Sequence, residues 1–239
     1  MLARPGRRTP RKRRGWLWRG LAVLLLAGGI AAGWLWWQSR QWRPSEAVYA
    51  DQGAFLAETA GDVNLRTLKA LGADFVYLHG SIGADGKDAA FSRNFAAATA
   101  AGMPVGVVHD FDPCVPADGQ SANFVVMVPR DAQLLPAAIA LDKLADDCPR
   151  RVSEAAVESE LITLINQIEI HTGAPVLLKP GKAFERRYGI AAGFERNLWL
   201  SQNWLEPEYG GRPWLMWTAN DGLMTEASEE PVAWVVVRP

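Results

Sequence analysis

The chain carries two hydrophobic patterns. From Leu17 to Trp37 every position is apolar except Arg19, and a run of that length matches the ~20 residues a helix needs to cross a hydrocarbon core. Beyond residue 46 the apolar residues come in short bursts. Eight of these read as strands: Ala47–Ala50, Asp74–His79, Val105–Phe111, Pro136–Asp142, Pro175–Lys179, Asn197–Gln202, Trp214–Thr218 and Val232–Val237. Several are apolar throughout, as strands covered on both faces are.

Helical spacing fills the gaps between the first six strands. Val63–Leu71 runs to Gly72, Asp88–Ala101 to Gly102, and Asp118–Val128 to Pro129. Ser153–His171 is the clearest: Ser153 is placed to cap it, and Val157, Leu161, Leu164, Ile165 and Ile168 recur on one face. A shorter helix, Lys182–Tyr188, follows the fifth strand. Strand–helix alternation implies a parallel sheet, and eight strands suggest closure. The expected fold class is α/β: an irregular TIM-like (β/α) barrel with helices after the early strands and few after the late ones, preceded by one transmembrane helix.

Charge separates the same two regions. The formal net charge is −1, but residues 1–43 hold ten Lys and Arg and no acid, leaving the rest at about −11. The basic cluster Arg7–Arg14 beside an apolar span reads as the cytoplasmic flank of a membrane helix, and Trp16, Trp18, Trp34, Trp36 and Trp37 suit its two interfaces. A nucleic-acid-binding tail is the weaker alternative. A cleaved signal peptide is another, but Trp34-Leu35-Trp36-Trp37 offers no small-x-small cleavage site. The organisation expected is a basic cytoplasmic tail (1–16), a transmembrane signal anchor (17–37), a linker (38–45) and a barrel domain (46–239). Eight linker residues reach at most ~28 Å, which would hold the domain near the bilayer. Cys114 and Cys148 both fall in the outer domain, after neighbouring strands; in an oxidising compartment a disulfide is the expectation, and two independent buried thiols the alternative. No Cys/His cluster suggests a metal, and Gly80–Gly86 lacks the Lys of a phosphate loop. No cofactor or nucleic-acid partner is implied.

Several segments together resemble glycoside hydrolase family 25, the lysozyme-like muramidases. Gly72-Ala73-Asp74-Phe75-Val76-Tyr77-Leu78 is similar to the family's second strand. Asp88-Ala89-Ala90-Phe91-Ser92-Arg93-Asn94 fits its Asp-x-x-Phe-x-x-Asn helix start. Gly106-Val107-Val108-His109-Asp110-Phe111 resembles Gly-x-Tyr-His-Phe-Phe, and Gln120-Ser121-Ala122-Asn123-Phe124 the helix after it. Asp51-Gln52-Gly53, Cys148-Pro149-Arg150-Arg151, Leu198-Trp199-Leu200 and Trp214-Leu215-Met216-Trp217-Thr218 extend the likeness over nearly all of the outer domain. The resemblance implies a barrel acting on peptidoglycan glycan strands. Taken with the apolar span and its basic flank, the expectation is a single-pass protein of the bacterial cytoplasmic membrane, with its C-terminal domain periplasmic or extracellular.

The family's acidic positions are where the resemblance thins. Aligned on Gln52-Gly53, the first falls at Ala47, the second at Ile82, the Asp-x-Glu pair at Ala140 and Asp142, and the last at Ala233. Glycoside hydrolysis usually needs two carboxyl groups with separated pKa values. Asp142 alone lacks a partner and is one methylene shorter than Glu; an offset of ~1 Å can cost ~100-fold, and loss of a general acid or base ~10²–10⁴-fold. Asp142 is therefore the one candidate catalytic residue, with Asp51, Asp110 and Asp112 as possible replacement partners. Gln52, Tyr77, His109, Asp110 and Trp217 are the candidate substrate-binding residues; barrel core is the alternative for the aromatics and a structural role for His109. The leading expectation is a catalytically impaired, peptidoglycan-binding or scaffold protein. An active divergent muramidase and a protein-interaction module without sugar binding are the alternatives.

Overall fold

The computed structural model describes residues 12–130 and 133–239, which form parts of two units, Met1–Arg40 and Gln41–Pro239. In the first, α1 (Lys12–Ser39) is one helix, and its stretch Trp18–Ser39 is long and apolar enough to cross a membrane. Most of the basic tail, Arg4 to Arg11, lies outside the described residues.

The second unit is a closed barrel. Its eight staves are β1 (Gln52–Leu56), β2 (Phe75–Ile82), β4 (Val105–Asp110), β5 (Ala138–Leu141), β6 (Leu177–Pro180), β7 (Asn197–Ser201), β8 (Met216–Leu223) and β9 (Val232–Val237). The pair β3 (Gly86–Lys87) folds back on the end of β2. The strands are parallel except β9, which runs antiparallel to both β8 and β1; pairing of β1 with β2 closes the ring. Helices α2 (Leu65–Ala70), α3 (Phe91–Ala100), α4 (Ala117–Met127) and α5 (Glu154–Thr172) follow the early strands. Two short helices, α6 (Lys182–Tyr188) and α7 (Ile190–Gly193), follow β6, and no helix joins β7, β8 and β9. Ser153 caps α5 by accepting from the Ala156 amide, and Gly173, at φ 72°, ends it in the left-handed conformation.

The first stave is not the expected Ala47–Ala50. Ala47 is exposed in a turn, and the strand begins at Gln52. Gly53 explains the placement: a Cβ there would sit 2.5 Å from the ring and carbonyl oxygen of Phe75, so only glycine lets β1 lie against β2. The misleading Val48–Tyr49 pattern serves another purpose. Residues 42–49 cover the helix-poor side of the barrel: Tyr49 stacks on Trp214 at 6.3 Å, Trp42 tilts against Trp217 at 6.3 Å, and the Arg43 guanidinium lies 4.6 Å from the Trp234 ring centre. Trp42–Ser45, expected as linker, thus belong in large part to the packed second unit, where Pro44 is buried.

Strand alternation sorts the core into two layers. One set of side chains, including Leu56, Leu78, Val107, Ile139, Leu178 and Leu200, packs outward under the helices. The other, including Tyr77, Val108, Ala138, Leu177, Trp199, Met216 and Val235, fills the barrel interior. Cys114 and Cys148 form a disulfide, Cα–Cα 5.2 Å, linking the loops after β4 and β5.

Candidate active site at the barrel mouth

The next inward-facing residue above that interior layer is the one each strand presents at its mouth end. By the period of two these are Phe55, His79, Asp110, Ala140, Lys179, Ser201, Thr218 and Ala233. In a parallel barrel this is the end at which side chains from several strands converge. Five of them, Phe55, Lys179, Ser201, Thr218 and Ala233, line a cavity of about 450 Å³ that Lys182 and Asp221 also border. That volume is in the range of small-ligand sites.

The first region of the mouth is cationic. Lys179 is half-buried, with Nζ 5.5 Å from the Phe55 ring centre and 5.6 Å from that of Trp199. Lys182 Nζ donates to Gln202 Oε1 at 2.8 Å. Thr218 accepts from Trp199 Nε1 at 2.8 Å through its hydroxyl oxygen. The second region is acidic. Asp110 Oδ2 lies 3.0 Å from His79 Nε2, and Asp88 Oδ2 lies 3.8 Å from the other ring nitrogen. Asp142 follows β5 beside Gly181, where a Cβ would collide with its carboxylate oxygen. The residue as a whole is exposed, yet its carboxyl is pushed above the usual range, first by enclosure in protein, with Asp110 adding and Lys179 opposing.

The candidate residues separate accordingly. Asp110 and Asp142 reach the mouth. His109 is one position out of phase with Asp110 and faces the helix layer, with no exposed surface. Its Nδ1 lies 2.8 Å from Ser81 Oγ and its Nε2 3.3 Å from Gln120 Oε1; burial lowers its pKa to about 4. Trp217 also points outward, into the cluster of Trp42, Tyr49 and Trp214, and donates through Nε1 to Gln202 O. Tyr77 is interior but one layer below the mouth, its hydroxyl donating to Pro136 O; burial pushes its pKa upward. Gln52 is buried at the closed end, donating to Pro44 O and Tyr49 O and accepting from Trp234 Nε1. None of these four offers a face to a ligand in the mouth.

Among the apolar positions, Ala140 and Ala233 face the mouth and Ile82 ends β2 beside it. Ala47 does not belong to the barrel; the inward residue on β1 is Phe55, paired across the sheet with Ala233. Asp51 precedes β1 at the closed end, and Asp112 is engaged by Lys143 at 2.7 Å. Sequence reasoning missed Phe55, Lys179 and Lys182. The signal was present at Lys179, two residues beyond inward Leu177 on the same strand.

The arrangement of staves and helices has known counterparts. The sequence model for glycosyl hydrolases family 25 matches residues 56–221, more than half of the chain. The chain belongs to glycosyl hydrolase family 25. The match opens at Leu56, the last residue of β1. Solved structures superpose accordingly. A family 25 glycosyl hydrolase from Bacillus anthracis gives a TM-score of 0.74 at 23% identity, over 84% of this chain and 93% of that one. A bacterial lysozyme from Streptomyces coelicolor gives 0.69 at 18%, over 79% and 92%. A spore cortex lytic enzyme from Clostridium perfringens gives 0.67 at 20%, over 82% and 69%. No curated protein matches the chain.

Proposed function

We propose that this family 25 barrel is tethered to the bacterial cytoplasmic membrane by α1, with its C-terminal domain outside, and that it binds peptidoglycan glycan without cleaving it at a useful rate. The observation that carries this reading is the composition of the mouth. Phe55, Ala140 and Ala233 are inward positions without an ionisable group, and Ile82 stands at the end of β2. We assign the family's first acidic position to Phe55 instead of Ala47, because Phe55 lies on the strand where the match opens and directly across from Ala233. Muramidase and lysozyme relatives of the same fold support peptidoglycan as the ligand. The length of Trp18–Ser39 supports the anchor, and the basic flank supports the orientation.

One observation favours a second reading, an active divergent muramidase. Asp142 has a carboxyl held protonated to higher pH than usual, as a general acid requires, with Asp110 near enough to act on it. Asp110 is tied to His79, however, which supports a structural assignment for it.

Membranes containing the full chain test the binding reading in two steps. The chain should stay with the membranes through an alkaline wash and, after detergent extraction, cosediment with purified peptidoglycan. Release by the wash overturns the anchor; failure to cosediment overturns glycan binding and favours a protein-interaction module.

A further inference from the structure

The loop after β7 carries the one non-glycine residue with a positive φ among the described residues. Trp204 stands at φ 66°, a conformation that bulky side chains rarely adopt. The loop is fastened at several points. The Trp204 amide donates to Ala219 O at 2.8 Å, and Asn203 and Asp221 exchange hydrogen bonds at 2.6 and 2.9 Å. Glu206 Oε1 accepts from the Tyr49 hydroxyl, which ties the loop to residues 42–49. Together the two segments frame an open cavity of about 330 Å³ bordered by Trp42, Val48, Trp204, Leu205 and Trp217. Val48, Trp204 and Leu205 are 57%, 49% and 68% exposed, so large apolar side chains are held at the surface on a rigid frame. An apolar patch maintained in this way marks a contact surface.

We propose that this patch seats the barrel on the outer leaflet of the membrane that α1 spans, with Val48, Trp204 and Leu205 in the boundary between headgroups and acyl chains. The inference rests on the anchor reading above and adds the face of the barrel that meets the bilayer. Chain length selects the occupant. α1 runs to Ser39, and Trp42 already packs on Trp217 in the wall of the cavity. Only Arg40 and Gln41 intervene, so the backbone at Trp42 lies within ~11 Å of that at Ser39. The patch is therefore the part of the barrel that the chain itself delivers to the interface. Its chemistry fits that place. Tryptophan joins an apolar body to a polar N–H and suits the boundary, while leucine and valine suit the acyl side. Charge argues against an electrostatic docking: among the described residues no Lys or Arg borders the cavity, and Glu206 does. Burial of apolar surface, not attraction to anionic headgroups, holds the patch.

The test uses the full chain in phosphatidylcholine vesicles, with its disulfide intact and one added cysteine carrying an environment-sensitive fluorophore. Leu205→Cys puts the label in the patch, and Ile170→Cys puts it at an apolar position of α5 that is 78% exposed. Lipids spin-labelled on the acyl chain should quench the first label at least ~5-fold more than the second. The quenching should be the same in high salt and with phosphatidylglycerol added. Trp204→Gly, which suits the positive φ, combined with Val48→Ser should lower the quenching of the Leu205→Cys label by roughly half; a cooperative melt shows that each variant folds. Equally weak quenching of both labels, in chains that resist the alkaline wash, overturns the seating and leaves the anchor standing. Release by the wash overturns the anchor and the seating with it. Quenching that appears only with phosphatidylglycerol and fades with salt overturns the apolar mode of docking. A label shielded from water but not quenched by lipid, with shielding that grows with the protein-to-lipid ratio, overturns the bilayer as occupant and assigns the patch to a second copy of the chain.

Discussion

At the scale of the residue, phase within a strand decides what each side chain does. His109 and Asp110 are adjacent in sequence and serve opposite sides of the barrel wall. Asp110 meets His79 at the mouth; His109 is sealed under α4, where Phe124 stands edge-on at 6.2 Å. A neutral ring satisfies both neighbours, accepting from Ser81 at Nδ1 and donating from Nε2 to Gln120. Burial lowers its pKa from 6.5 to about 4. Between those values the unfolded chain binds the extra proton and the folded chain does not. Stability is therefore complete above about 6.5 and falls as pH drops toward 4, by roughly 3 kcal/mol for this group. Urea titrations near neutral pH and near the lower value should show that loss, and His109→Gln should flatten it. An unchanged slope in the variant would assign the acid sensitivity elsewhere.

At the scale of the element, the clearest sequence signals were those of helices with a distinct buried stripe. α5 occupies Glu154–Thr172 with Ser153 as its cap, as its apolar spacing implies. The disulfide between the loops after β4 and β5 also agrees with expectation. It closes a segment of 34 residues, and the chain-entropy relation gives about 4 kcal/mol of stabilisation for a loop of that length. Reduction, or a Cys114→Ala and Cys148→Ala double variant, should lower the urea midpoint by a corresponding amount; no shift would mean that the unfolded chain is already constrained there. The first strand was not legible, because Ala47–Ala50 and Gln52–Leu56 are both short and apolar. What separates them is the close approach of Gly53 to Phe75, a contact between strands about twenty residues apart. The outward direction of Trp217 was hidden for the same kind of reason: alternation gives two faces, and only ring closure says which is inside.

At the scale of the whole molecule, the fold and the mouth rest on different residues. Closing the barrel rests on the interior layer and the helices packed around it. Hydrolysis usually needs paired carboxyl groups; at the mouth Phe55, Ala140, Lys179 and Ala233 face inward, and Asp110 and Asp142 are the candidate carboxylates that reach it. The fold could be read from sequence because many positions specify it redundantly. The mouth could be read only in part: Ile82, Asp110, Ala140, Asp142 and Ala233 lie at it, whereas Phe55 was hidden by the misplaced first strand and Lys179 and Lys182 carried no expectation. The measurement that tests the central claim most directly is the release of new reducing ends from purified peptidoglycan by the full chain in detergent, beside Asp142→Asn. The account predicts no release above background from either protein, with cosedimentation retained. Steady turnover by the wild-type chain that is lost in Asp142→Asn would contradict it and make Asp142 the acid of a working muramidase.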